Sequence, residues 1–131
     1  MDVGIEEIVI NLKLLATLDK NQKLITRDSF FNIEARSLVP EFLRRWNRQD
    51  NRNETIKKIN QVVNSAIKHI NTNTNTNDVY NIKEYLKNAM LGVANLKETY
   101  STCSQTCARL DVILDKMQKS LEGYDAESLS E

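Results

Sequence analysis

Apolar residues recur at alternating spacings of three and four residues over positions 78–121, with few interruptions. Such spacing is typical of a helix that packs along one seam against other helices. The stretch contains neither a proline nor a cluster of turn residues, so it predicts one helix over 78–122, with a kink or a split near 100–105 as the alternative. The seam consists of Val79, Ile82, Leu86, Ala89, Val93, Leu96, Tyr100, Cys103, Cys107, Leu110, Leu114, Met117 and Leu121.

Two shorter segments show helical periodicity as well. Their apolar stripes predict helices over residues 3–18 and 52–71. A third short helix is expected over 38–48, with Pro40 in its first turn, where a proline is tolerated. The Asn-Thr tract 71–77 has no apolar side chain to bury, so we expect it to be an exposed connection to the long helix.

Residues 23–35 carry the weakest helical signal in the chain. Two short runs of β-favouring residues, 23–26 and 30–33, predict a small hairpin here, with a short helix as the alternative. A two-stranded hairpin is only marginally stable alone, so its apolar side chains would have to pack on the helices. The candidate core residues of this segment are Phe30, Phe31 and Ile33.

The positions beside the long seam do not suit a two-stranded coiled coil. They lack the paired Glu and Lys residues that specify such dimers, and Tyr85, Met90 and Ile113 widen the apolar face instead. The pattern favours an antiparallel bundle within one chain over self-association, which stays open as an alternative. Since the shorter helices cannot cover the whole long helix, its far end is expected to overhang as a partner surface. The candidate partner-binding residues there are Leu110, Leu114, Met117 and Leu121.

The composition fits an almost wholly helical chain. Among 131 residues there are only three glycines and one proline, which argues against a turn-rich β fold. The predicted fold class is all-α: a helical bundle built on one long C-terminal helix. We expect a single helical domain over 1–122 and a flexible acidic tail over 123–131.

Neither a secretion signal nor a membrane span is predicted. The first residues lack the basic start and continuous apolar run of a signal peptide. No segment reaches the roughly 18 consecutive apolar residues that a membrane-spanning helix needs. Two cysteines cannot build a disulfide framework. We therefore expect synthesis in an intracellular, reducing compartment.

One local basic cluster surrounds the single tryptophan. Residues 36–58 contain seven basic and three acidic side chains, although the whole chain has a formal net charge of zero. Arginine beside an aromatic residue is typical of protein and nucleic-acid interfaces, while a solvated helix face over a buried tryptophan is the simpler interpretation. Zero net charge favours protein over nucleic acid as the partner. The candidate residues are Arg44, Arg45, Trp46, Arg48 and Arg52.

The sequence offers no catalytic or metal-binding signature. Cys103 and Cys107 are one helical turn apart, but a zinc site needs about four ligands, and the only histidine, His69, lies on another predicted helix. We interpret the two cysteines as small packing residues. Glycine-rich phosphate loops, nucleophile elbows and His-Glu metal helices are missing. The chain is therefore predicted to be non-enzymatic, without a cofactor or a metal.

Four segments within residues 12–67 carry a family resemblance. They read, in order, Leu-Lys-Leu-Leu, Asp-Lys-Asn-Gln-Lys-Leu-Ile-Thr, Phe-Leu-Arg-Arg-Trp and Asn-Arg-Asn-Glu-Thr-Ile-Lys-Lys-Ile. This order resembles the amino-terminal helical region of minor capsid or other virion-associated proteins of the nucleocytoplasmic large DNA viruses. The resemblance covers under half of the chain and carries over no binding residue.

The resemblance implies a structural subunit that bridges other capsid proteins in a virion. The sequence as a whole predicts a structural or scaffolding protein that contacts protein partners through its long helix. The alternative prediction is a small nucleic-acid-binding protein that uses residues 44–52.

Overall fold

The computed structural model describes residues 4–18, 29–101 and 103–122, and for residues 29–34 the backbone alone. Five α-helices account for nearly all of these residues, and no described residue lies in a β-strand. The predicted all-α fold class is therefore confirmed. The helices are α1 (Ile5–Ala16), α2 (Ser29–Asn47), α3 (Gln49–Thr72), α4 (Thr76–Tyr100) and α5 (Ser104–Ser120).

Helix α1 lies along α4, and the two helices run in the same direction. The Lys13 ammonium group lies 4.6 Å from the centre of the Tyr85 ring. Further along both helices, the Asn95 side-chain amide donates a 2.6 Å hydrogen bond to the Leu18 carbonyl oxygen. That bond satisfies a carbonyl group just beyond the end of α1, where carbonyls have no partner within the helix. The buried residues of α1 are Ile8, Leu12, Lys13, Leu15 and Ala16.

The backbones of α1 and α4 approach each other most closely at Gly92. A Cβ atom added at Gly92 would overlap the carbonyl oxygen of Leu15 and lie 2.6 Å from its carbonyl carbon. Only glycine fits this position, because any side chain would meet backbone rather than a movable side chain. The glycine that weakens α4 as an isolated helix is thus required for its packing against α1.

Helix α2 begins at Ser29 rather than at residue 38, so residues 29–35 are helical and the hairpin predicted over 23–35 is wrong there. Residues 23–28 lie outside the described residues. The hairpin prediction rested on β-propensity, which depends strongly on context. In the folded chain Ala35 is fully buried, so the start of α2 is stabilised by packing that the local sequence does not reveal. The side chains of Phe30, Phe31 and Ile33, predicted for the core, also lie outside the described part.

Pro40 lies in the interior of α2 and not in its first turn. It has no N–H to donate to the Arg36 carbonyl oxygen four residues earlier, a loss that usually breaks a helix. Both Pro40 and Arg36 are exposed, so water can satisfy that carbonyl. The helix was predicted to begin at residue 38 so that Pro40 would lie in its first turn. Because Pro40 is tolerated in the interior of α2, the helix can begin earlier, at Ser29.

Helices α3 and α4 form a hairpin with a short connection. Only residues 73–75 of the Asn-Thr tract are non-helical, fewer than the predicted 71–77. The Asn75 side chain caps α4 by accepting hydrogen bonds from the backbone N–H groups of Asn77 and Asp78. Asparagine is among the preferred N-cap residues, so the tract starts α4 as well as ending α3.

The single helix predicted over 78–122 is wrong, and the alternative split near 100–105 is what the structure shows. Ser101 and Cys103 have extended backbone angles that separate α4 from α5. The seam residues at this point are Tyr100, Cys103 and Cys107, none of which is fully buried. The heptad pattern continues across the break because α4 and α5 each bury their own apolar face in the same core.

Helix α5 folds back beside α3, which it follows in the same direction. Arg109 donates to the Asn53 side chain at 2.8 Å, and Lys116 donates to the Asn60 side chain at 2.8 Å. An ion pair of 2.6 Å between Lys97 and Asp111 joins α5 to α4. Because α5 packs against α3 and α4, it does not form the overhanging partner surface that was predicted for the far end of the long helix.

The core is one cluster of buried apolar side chains to which α1 through α5 contribute. Its largest member is Trp46, which is completely buried near the end of α2. Of the helices in the described ranges, none has the length and hydropathy to cross a bilayer.

Candidate partner-binding groove

An open groove of about 750 Å³ lies between α1, α2 and α3. Its floor is apolar and consists of side chains that belong to the core: Leu15, Ile59 and Val62 are each about 3 % exposed. Leu14 is half-buried beside them. The apolar surface that the groove leaves accessible therefore comes from the partly buried Leu14 and Phe42 and the exposed Leu38, above buried core residues.

Two facing rows of side chains form the walls. Helix α2 contributes positions 38, 41, 42 and 45, and α3 contributes positions between 51 and 62. The α2 row follows the three-four spacing of a single helix face. On α3 most positions follow it as well, and Lys57 and Ile59 lie on either side of that face. Only Arg48 separates the two helices, so the walls meet at that end. At 1.5 Å per residue the α3 wall is about 16 Å long, which corresponds to three helical turns.

A stacked aromatic pair supports the α2 wall. The rings of Phe42 and Trp46 are 6.4 Å apart between centroids and 8° from parallel. The Trp46 indole nitrogen donates a 3.0 Å hydrogen bond to the Tyr100 carbonyl oxygen. Phe42 lines the groove while Trp46 lies behind it in the core. The wall residue Phe42 is thus held in place by a side chain that is itself fixed at the end of α4.

Leu38 lies at the mouth of the groove. Its side chain is 43 % exposed. Leu38 lines the groove together with Phe42, so its exposed side chain lies on the groove side of α2. An exposed leucine at the edge of an apolar groove is available to a partner.

Among the described side chains, the α2 rim carries Glu41 and Arg45, with Arg44 beside them. The Arg44 guanidinium donates through one nitrogen to both Glu41 carboxylate oxygens at 2.7 Å. This hydrogen bonding holds the pKa of Glu41 below its ordinary value and raises the pKa of Arg44. Arg45 approaches the same carboxylate only at 3.6 Å. Because Glu41 is already neutralised by Arg44, Arg45 leaves positive charge at the rim.

The α3 rim is also positively charged. Lys57 is 3.8 Å from Glu54, a long and exposed ion pair that contributes little to stability. Lys58 is exposed, and no ion pair joins it to another residue of the described ranges. The two rims therefore present more cations than carboxylates to whatever occupies the groove.

The predicted arginine-tryptophan cluster divides into a buried and an exposed part. Trp46 is in the core, and Arg52 lies over it, with its guanidinium 5.7 Å from the indole ring and its Nε donating to the Trp46 carbonyl oxygen at 2.9 Å. Arg44, Arg45 and Arg48 are exposed. The interpretation of this region as a solvated face over a buried tryptophan agrees with this geometry, and the indole is not accessible for stacking on a base.

The partner-binding residues predicted on the last helix do not form an exposed surface. Leu110, Met117 and Leu121 are at most 1 % exposed, and Leu114 is partly buried against the same core. The prediction assumed a straight helix that extends past its neighbours. The break after Tyr100 instead returns these residues to the bundle, where they stabilise the fold.

The two cysteines differ in their surroundings. Cys107 is half-buried, as a packing residue would be, but Cys103 is exposed because the helix break places it at the N-cap of α5. The backbone N–H groups of Thr106 and Gln105 hold the pKa of the Cys103 thiol below its ordinary value. No group of three or more His, Cys, Asp or Glu side chains is arranged for a metal ion in the ranges that the structure describes.

The groove is not predicted by the sequence. Its cationic residues Arg45 and Lys58 belong to the basic stretch 36–58, and its apolar wall residues on α2 are Leu38 and Phe42. The available signal was the combination of an apolar pair and charged residues on the same face of α2. Recognising it required the true start of α2 and the position of α1 beneath it.

Comparisons with protein-family models, curated proteins and solved structures gave no significant match. The groove is therefore interpreted from its own residues.

Proposed function

We propose that this chain is a non-enzymatic scaffolding protein that binds a protein partner in the groove between α1, α2 and α3. The observation that carries the proposal is the groove itself, in which the exposed side chain of Leu38 lies beside Phe42 above the apolar core residues of the floor. This proposal keeps the function predicted from the sequence and moves the contact surface from the last helix to the groove.

The dimensions of the groove favour a helical segment of the partner. A wall of about three turns accommodates a helix whose apolar residues recur at three-four spacing, which is the common mode of helix-in-groove binding. The rigid Phe42 ring and the adjacent Leu38 supply apolar contacts at low entropic cost, since Phe42 is already stacked on Trp46. The partner would cover apolar surface that the monomer leaves in water.

The resemblance of residues 12–67 to virion-associated proteins supplies a proposed setting for this activity. In that setting the partner is another capsid protein, and the chain is a structural subunit of the particle. Detection of the chain in purified virions by mass spectrometry is the expected result, and its absence from them would remove this setting while leaving the groove proposal intact.

The alternative prediction, nucleic-acid binding through residues 44–52, stays a prediction. It requires a steep loss of affinity as the salt concentration rises and as the arginines are replaced. The buried position of Trp46 removes the base-stacking contribution from that alternative.

Site-specific photo-cross-linking tests the proposed contact surface in cells that make the protein. A photoreactive residue at Leu38 in the groove is compared with the same residue at Leu91, which is similarly exposed at 48 % but lies on α4 outside the groove. We expect one discrete cross-linked partner from position 38 and none from position 91. Cross-links of equal intensity from both positions, or from position 91 alone, would contradict the proposal, and a cross-link to a second copy of the chain would indicate self-association.

A further inference from the structure

We infer that the segment received by the groove is an acidic amphipathic helix, with apolar residues on one face and Asp or Glu on both flanks. The inference rests on the proposed function and names the chemistry of the partner. It follows from the charges around the groove together with the length of its walls.

The α2 side retains uncompensated positive charge. Among the described side chains of this wall the carboxylate is Glu41, and both of its oxygens are engaged by Arg44 at 2.7 Å. Arg45, which lines the groove, is a weak second partner of Glu41 at 3.6 Å. A carboxylate arriving at this rim would therefore find Arg45 able to form a new hydrogen-bonded ion pair.

The α3 side repeats this arrangement with lysines. Lys57 and Glu54 form a long ion pair of 3.8 Å, and both side chains are at least 70 % exposed. Lys58 stands one residue further along the same rim. Among the described side chains that line the groove, three cations, Arg45, Lys57 and Lys58, stand beside two carboxylates, Glu41 and Glu54.

The charges lie on the rim while the floor is apolar, and this division matches one kind of ligand. A helix that places Leu or Ile at i, i+3 and i+7 on the floor directs its flanking positions toward the two rims. Acidic residues at those positions would be attracted by both walls, whereas lysines would be repelled. Partial exposure of the rim means that these charges affect specificity and association rate more than total affinity.

Two synthetic peptides test the inference with the full chain. Both have about 14 residues, or roughly four turns, and the same leucine positions; one has Glu on its flanks and the other has Lys. Isothermal titration calorimetry at about 50 mM salt is expected to give at least tenfold tighter binding of the acidic peptide, and the difference should shrink as added salt screens the rims.

Charge reversal on the rim provides a matched pair of variants. Lys57→Glu should weaken the acidic peptide about fivefold, the upper range for one exposed ion pair. Lys119→Glu is the control, because Lys119 is also 70 % exposed and also pairs within its own helix, with Asp115 at 3.1 Å, but lies on α5. Lys119→Glu should leave peptide affinity unchanged. Equal effects of the two variants would show that net charge alone attracts the peptide and would overturn the inference.

Leu38→Gln separates failure of this inference from failure of the proposed function. If both peptides bind equally and Leu38→Gln weakens both, the groove remains the binding site and the acidic specificity is overturned. If neither peptide binds, or if Leu38→Gln has no effect on binding, the groove is not a helix-binding site and both proposals fail. A thermal unfolding curve of each variant verifies that the fold is intact.

Discussion

Helix α1 packs in opposite ways on its two sides. Against α4 it approaches until the two backbones touch at Gly92, and the contact is closed by core side chains and by the Asn95 hydrogen bond. Toward α2 and α3 the same helix leaves Leu14 and Asn11 at the bottom of an open groove. One twelve-residue helix thus has a closely packed side and an open side.

The difference separates stability from binding. Close backbone contact leaves no room for adjustment, so changes on the α4 side should cost folding free energy. The groove side has free space, so substitutions there should leave the folding free energy almost unchanged. They should instead lower the affinity for a partner. Substitutions on each side therefore test this division.

The largest effect is expected from Gly92→Ala. The added methyl group would overlap the Leu15 carbonyl oxygen, so α1 would have to move away from α4. Overpacking of this kind costs about 3 kcal/mol, more than the gain in helix propensity. Urea unfolding followed by circular dichroism measures the loss.

Gly4→Ala is the matched control, since a Cβ atom there meets nothing within 4 Å. Gly4 is the N-cap of α1, so its replacement should cost under about 1 kcal/mol. Comparable losses for the two glycine variants would show that α1 and α4 are not in backbone contact.

Trp46→Phe should have the next largest effect. It keeps an aromatic ring beside Phe42 but removes the indole N–H, which leaves the Tyr100 carbonyl oxygen without its donor. We expect a loss of about 1–3 kcal/mol from the unsatisfied group and the smaller ring. The same urea experiment applies; an unchanged midpoint would mean that the groove wall does not depend on the contact with α4.

Asn95→Ala should cost about 1 kcal/mol, because it removes the hydrogen bond to the Leu18 carbonyl oxygen that joins α4 to the end of α1. Asn88→Ala is a suitable comparison: its side-chain amide donates to the Glu84 carbonyl oxygen of its own helix. A smaller loss is expected for Asn88→Ala, since no contact between helices is broken. Thermal unfolding of both variants distinguishes the two cases.

Leu38→Gln should change stability by less than about 0.5 kcal/mol, because the side chain is exposed and glutamine is a good helix former. Urea unfolding checks this value. A loss of several kcal/mol would show that the groove side contributes to the core after all.

The smallest expected effect is a pH-dependent contribution of Glu41 to stability. The pKa of Glu41 is lowered in the folded chain by hydrogen bonding from Arg44, from an ordinary value of 4.5. A lowered folded pKa stabilises the fold above about pH 4.5 and loses that contribution as the pH falls through the folded value. Glu41→Gln should therefore lower Tm slightly at pH 7 and make no difference in stronger acid. A gap in Tm that widens as the pH falls would have the wrong sign.

The sequence predicted the helices whose apolar periodicity is strong. The stripes of α1 and α3 lie close to the predicted ranges, because amphipathic helices are stabilised by the face that they bury. Pro40 and the β-favouring residues before it hid the first half of α2, since local propensity carries no information about Ala35 packing in the core.

The last two helices show a different limit. A heptad pattern does not distinguish a long helix that needs an external partner from two helices that bury the same face in one core. The weak residues between Thr99 and Thr106 were the only local sign of the break. The position of the groove could not be predicted, because it depends on the direction that the chain takes at Arg48 between α2 and α3.

The position of the single tryptophan gives the molecule a built-in optical probe. Its indole is shielded from water, hydrogen-bonded to the end of α4 and stacked on a ring that lines the groove. Emission from Trp46 should therefore shift to longer wavelength when the bundle opens and change in intensity when a ligand contacts Phe42. Folding and groove occupancy can then be followed in the unlabelled protein through one chromophore.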